Sequence, residues 1–198
     1  GDLEHGRIYR IAPSGAVVKT PTFDFKTPDG AAEALKSPAL SARYLAYTAL
    51  REFGAKAEPA LLTLWRDPNP RYRARALWLL GQLDAPKAVE AAINDKDPDI
   101  RVTGLRLARR LQRDVIPLVA RLVDDPSAHV RRECAIALRH SASSDAPRLW
   151  AALARQHDGA DRWYLEALGI GADRQWDAFL DAWIGLVGGE EKLAASPA

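Results

Sequence analysis

At 198 residues, 47% hydrophobic and 27% charged, the chain has the composition of a globular protein with room for one large core or two small ones. The formal charge of +2 is uneven: residues 71–140 carry 14 basic and 9 acidic side chains, whereas residues 141–198 carry 5 and 9. That mildly basic middle falls short of a nucleic-acid footprint. The lone Cys134 excludes an internal disulfide or a cysteine-cluster metal site, and no apolar run approaches the roughly 20 residues of a membrane-spanning helix.

The chain starts at Gly1 and contains no Met, so it reads as a piece of a longer protein. Residues 1–29 form the first unit, an extended or β segment. Gly6 to Gly15 alternates polar and apolar residues and ends in a Pro/Gly turn signal, which predicts a strand. Gly15 to Val18 is a weaker second strand, and Thr20 to Pro28 is a connector. One short hairpin is not stable alone, so this segment either caps the first helices or is the edge of a neighbouring domain, and it is expected to be a remnant of, or a linker from, an upstream domain.

Residues 30–187 are expected to be a helical array. The paired helices are Ala31–Lys36 with Ala42–Phe53, Pro59–Arg66 with Pro70–Leu83, Pro86–Asn94 with Asp99–Gln112, Val115–Val123 with Ser127–His140, and Ala146–Gln156 with Ala160–Gly169. A further helix spans Arg174–Val187, and residues 188–198 are expected to be a flexible tail. The second helix of each pair opens on a recurring turn: Ser37-Pro38, Asp67-Pro68, Asp97-Pro98, Asp125-Pro126 and Asp158-Gly159. An arginine follows each turn, at Arg43, Arg73, Arg101, Arg131 and Arg162, spaced 30, 28, 30 and 31 residues apart. Small or apolar residues recur three, four and seven positions later, which is one face of a helix, although the fifth copy drifts and has Glu166 at the second of these places. A fixed period of this size marks a stacked repeat array, in which no helix pair buries its apolar face alone.

The punctuation has a physical reason. An Asp before a helix accepts from its unpaired N–H groups, and Pro suits the first turn. Each arginine can reach the Asp of its own or a neighbouring turn. Arg43, Arg73, Arg101, Arg131 and Arg162, with Asp67, Asp97, Asp125 and Asp158, are thus expected to form a ladder that fixes the spacing of repeats.

The pattern Asp-Pro-x-x-x-Val/Tyr-Arg-x-x-Ala/Cys-Ala/Leu-x-x-Leu resembles HEAT repeats, in the short bacterial variety also seen in phycobilisome-lyase-type proteins. The resemblance covers about residues 30–185 and implies an all-α superhelix, a solenoid, here with a short N-terminal β segment. The copy at Asp97 departs from it, with two residues fewer before Arg101. A narrower resemblance rests on Asp2-Leu3-Glu4-His5-Gly6-Arg7-Ile8-Tyr9-Arg10-Ile11-Ala12-Pro13. It is similar to the closing strand of the propeller in large membrane-bound dehydrogenases of planctomycete-like bacteria, and Asp161 to Gly171 resembles their HEAT region. That resemblance implies a propeller upstream, a cytochrome c module downstream, haem c and a quinone elsewhere in the parent chain, and a periplasmic or cell-envelope location. Cys134 is followed by Ala135-Ile136-Ala137, so the Cys-x-x-Cys-His haem motif is absent, and no cofactor is expected in this segment.

The residue types point to binding rather than catalysis. No Ser-His-Asp set, phosphate-cradling glycine loop or metal-ligand spacing of His5, His129, His140 and His157 stands out. Arg71, Arg73, Arg75, Arg106, Arg109, Arg110, Arg131, Arg132 and Arg139 all fall on second helices, which line the concave face in HEAT arrays. Arg71, Arg75, Arg106, Arg109, Arg132 and Arg139, with Trp163, Trp176 and Trp183, are the expected protein-interaction surface. Two other readings remain open: a nucleic-acid-binding protein similar to HEAT-like DNA glycosylases, and a lyase-like chaperone for a tetrapyrrole-bearing protein. Trp65, Trp78 and Trp150 are expected in the core, as is Cys134.

Overall fold

A computed structural model describes residues 11, 13–15 and 21–188. The strands expected over residues 6–15 and 15–18 lie almost wholly outside these residues, as does the tail beyond Gly188. Among the described residues are eleven α-helices and no strand: α1 (Pro28–Ala34), α2 (Leu40–Phe53), α3 (Glu58–Trp65), α4 (Pro70–Leu83), α5 (Ala85–Ile93), α6 (Pro98–Arg110), α7 (Ile116–Leu122), α8 (Ala128–Ala137), α9 (Ala146–Ala154), α10 (Arg162–Gly171) and α11 (Trp176–Val187). A 3₁₀ turn, Gly54–Ala57, joins α2 to α3.

The helices stack as an all-α solenoid of HEAT type. Odd-numbered helices are the first members of the pairs and even-numbered helices the second. The second helices form one layer, with α2 against α4, α4 against α6, α6 against α8 and α8 against α10. First helices form the other layer, and α11 packs on α9 as the first helix of a sixth unit. Small residues set the spacing. Ala46, Ala76, Gly104 and Cys134, each seven positions after its helix N-cap, are buried in successive second helices. Two buried clusters fill the space between the layers. One runs from Ala31 to Leu79 across α1–α4, the other from Leu77 to Phe179 across α4–α11, and Trp65 and Leu80 pack against both.

The helix starts show why the copies keep register. Thr27, Asn69, Asp84, Asp97 and Asp161 cap α1, α4, α5, α6 and α10 with side-chain oxygens on first-turn N–H groups. The second helices α2, α6 and α8 close on backbone in the left-handed region, at Gly54, Gln112 and His140. After α6 the Arg113 N–H reaches the Ala108 carbonyl at 2.9 Å, closing the helix end.

Candidate functional site

The row of turns is built from one unit repeated. Two residues before the N-cap of α2, α4, α6 and α8 stand Ser37, Asp67, Asp95 and Asp125. Each side-chain oxygen accepts from the N-cap N–H, at 3.1, 2.9, 2.9 and 2.9 Å. Asp95 therefore occupies the place assigned from sequence to Asp97. Asp97 is instead the N-cap of α6, accepting from the Asp99 N–H. The Asp-Pro dipeptide misleads here because Pro98 is the first residue of α6, whereas Pro68 and Pro126 precede their N-caps.

Six residues after each turn residue comes the arginine. Arg43, Arg101 and Arg131 each clasp their own turn by donating to two consecutive carbonyls, Ser37 and Pro38, Asp95 and Lys96, Asp125 and Pro126. Arg73 and Arg101 also reach the following unit. Arg73 pairs with Asp95 at 2.6 Å and lies 3.7 Å from Asp97. Arg101 donates to both oxygens of Asp125 at 2.7 Å. These side chains are largely removed from solvent, with Arg101 11% and Asp125 4% exposed. The two hydrogen bonds that Arg101 donates to Asp125 hold its guanidinium above its ordinary range. Asp67 takes Lys36 of the first unit at 3.5 Å.

The fifth unit departs from the others. Arg131 finds an aromatic ring where Arg101 finds a carboxylate, its guanidinium lying over Tyr164 at 5.6 Å and 3.4 Å from the hydroxyl. The Tyr164 hydroxyl in turn donates to the Leu153 carbonyl, and burial pushes the phenol up. Arg162 does not share the row. It is the first residue of α10, one position after the N-cap rather than four, and its exposed side chain meets only Glu166, at 3.5 Å, among the described residues. Asp158 folds its own loop, accepting from the Ala160 and Asp161 N–H groups, which holds its carboxyl below the usual range. The connection before α10 is longer than its counterpart before α8, residues 155–161 against 123–127, and Gly159 turns within it at φ 80°.

The residues expected to form an interaction surface divide between four places. Arg106, Arg132 and Trp163 line one cleft of about 480 Å³ between α6, α8 and α10, together with Glu133, Ile136 and Ile170. Trp163 is 70% exposed there. Its floor is Glu133, a carboxylate that is 3% exposed and takes Arg106 at 2.9 Å and Arg109 at 3.0 Å. Arg132 leans on Asp161 at 3.3 Å. Arg139 lies elsewhere, at the ends of α8 and α10, where Asp173 receives both Arg139 and His140. Arg71 is exposed near the start of α4, and Arg75 stacks on Tyr72 and donates to the Leu35 carbonyl. Trp176 and Trp183 stand at a fourth place, the far end, beside Trp150, Leu165 and Leu180.

Trp150 is buried and donates to the Leu168 carbonyl, whereas Trp65 and Trp78 are only half-buried. Cys134 is fully buried, and burial pushes its thiol far up, which makes it unreactive in the folded chain. Sequence reasoning did not single out Glu133. A buried acid on a helix face looks like any solvated glutamate until neighbouring helices close over it. Among the described residues no group of His, Cys, Asp and Glu could hold a metal ion, and no helix is long and apolar enough to cross a membrane.

A family model described as HEAT repeats matches residues 28–93, which cover α1 to α5. No curated protein matches the chain, and no solved structure does.

Proposed function

We propose that this chain is a non-catalytic scaffold that docks a protein segment on its second-helix layer, within a multidomain bacterial membrane-bound dehydrogenase of the cell envelope. Solenoids of HEAT type are typically non-catalytic and often serve protein interaction. The observation that carries the reading is the cleft between α6, α8 and α10. It combines an exposed indole, Trp163, with arginines held in place by a buried carboxylate, Glu133. Large aromatic and arginine side chains on a rigid wall are the usual anchors of protein interfaces. In this reading haem c and a quinone belong to neighbouring domains of the parent chain, and this segment spaces and orients those domains.

The cleft does not favour nucleic acid. Glu133, Glu166 and Asp161 stand among its arginines, and a phosphate backbone laid along α6, α8 and α10 would meet them.

The test is photo-cross-linking in the parent protein. A benzophenone amino acid in place of Trp163 should link to a defined peptide of another domain or protein. The same group in place of Arg148, which is 70% exposed on the first-helix layer, should not. Equal capture from both positions, or from neither, would overturn the docking reading. The dehydrogenase context falls separately if the parent reading frame lacks an upstream propeller and a downstream Cys-x-x-Cys-His.

A further inference from the structure

Charge on the second-helix layer is balanced at one end and unbalanced at the other. Around Trp163 the arginines Arg106, Arg109 and Arg132 are bonded to Glu133 or Asp161. A separate cleft of about 340 Å³ opens between α2, α4 and α6, and among the described residues its lining contains Arg51 and Arg110 but no carboxylate. Both arginines are exposed. Half-buried Trp78 supplies an apolar wall. The Gln82 amide donates to the Tyr47 hydroxyl, which leaves that hydroxyl its own hydrogen to give. Two cations and one O–H donor therefore converge on a single opening.

Arginine in the last turn of a helix already has a reason to be there, since the C-terminal end of a helix carries about half a negative charge. Those partial charges fade within a turn, whereas the two guanidinium groups are full charges beside one opening. The cleft is left positive overall and shaped for one anionic group next to one flat apolar group.

We propose that this cleft binds a carboxylate side chain of an acidic protein segment, with Arg51 and Arg110 flanking the carboxylate, Tyr47 donating to it and Trp78 covering the adjoining apolar atoms. The inference rests on the docking reading above and names the class of partner. An acidic peptide is favoured over nucleic acid because one cleft accommodates one anion. A phosphodiester chain continuing along the layer would run onto Glu133 and Glu166.

The test uses the 198-residue chain with fluorescein-labelled oligoglutamate, oligolysine and oligothymidylate, read by anisotropy at low salt. Oligoglutamate should bind saturably and shift the Trp78 indole N–H resonance, which a Trp78→Phe variant identifies. The double variant Arg51→Gln, Arg110→Gln should weaken binding about tenfold or more, while Arg148→Gln leaves it unchanged. Because Arg51 and Arg110 are exposed, their replacement should remove only their small interaction with the helix ends and leave the chain folded at the assay temperature, as a thermal unfolding curve shows. Absence of saturable binding, equal affinity in the double variant, or tighter binding of oligothymidylate would each overturn the proposal. Should oligoglutamate fail while cross-linking from position 163 persists, the acidic class is wrong and the docking reading stands.

Discussion

Asp125 is a residue whose loss should be felt beyond its own unit. Its carboxylate accepts from the Ser127 N–H and from two nitrogens of Arg101, and it is 4% exposed. Asp125→Ala would strand Arg101 without its partner while opening the turn before α8. The expected cost is about 3 kcal/mol, measured by chemical denaturation. Arg101→Ala should cost a similar amount. The double variant should cost clearly less than the two together, because the second change removes a group already stranded. An additive result would mean that the pair does not couple the two units.

Asp173 gives a pH dependence with a defined sign. Arg139, then His140, hold its carboxyl below its ordinary value of 3.8. The unfolded chain therefore takes up this proton first as pH falls. The stabilisation is complete above the ordinary carboxylate range and is lost as pH drops through the lowered native value. The denaturation midpoint should be flat between about pH 5 and 7 and fall below about pH 4, and Asp173→Asn should remove part of that fall. Glu90, held down by Arg121 and Asn94, adds to the slope in the same direction.

At the scale of the element, the spacing of second helices is decided by what can fit between them. A Cβ at Gly171 in α10 would collide with the Ala135 carbonyl of α8, and backbone cannot step aside. Gly171→Ala should therefore cost about 3 kcal/mol by forcing α10 away from α8. At Gly81 the atoms nearest to the added Cβ are side-chain carbons of Leu107, which can turn. Gly81→Ala should cost about 1 kcal/mol or less, with part of the loss returned by the better helix propensity of alanine. Thermal melts of the two variants should separate clearly; equal effects would mean that α8 and α10 slide freely. The sequence shows a glycine at each position, but which one meets a backbone and which a rotatable side chain is set by the stacking of the helices.

At the scale of the molecule, stability should be distributed as in a one-dimensional stack, where each unit is held by its neighbours. The N-terminal cluster, built on Ala31, Leu35, Leu50 and Leu61, is smaller than the one running from Leu77 to Phe179. Hydrogen exchange should accordingly show α1–α3 opening at a lower free energy than α6–α9, with Trp65 and Leu80 marking the border. Uniform protection from α1 to α10 would show the two clusters unfolding as one. The same geometry bears on binding: successive second helices present one continuous layer, so the Trp78 and Trp163 clefts can be spanned by one extended partner.

Sequence alone determined the helices, their pairing and the all-α repeat architecture. These follow from local chemistry: apolar spacing of three and four, carboxylates or Ser before helix starts, and proline in first turns. It also placed Cys134 and Trp150 inside. Tertiary structure decided what that local chemistry leaves open. Asp95, not Asp97, meets Arg73 most closely, because the length of the turn and not the Asp-Pro dipeptide sets which carboxylate faces the neighbouring unit. Arg162 left the row because the longer connection before α10 starts that helix three residues late relative to it, less than one helical turn and too little to disturb the repeat pattern to the eye. Whether an arginine is held by a buried acid, as Arg106 is by Glu133, or stands beside an opening that has none among the described residues, as Arg51 does, depends on residues some thirty positions away. Only the stacking of one unit on the next brings such residues within a few ångströms of each other.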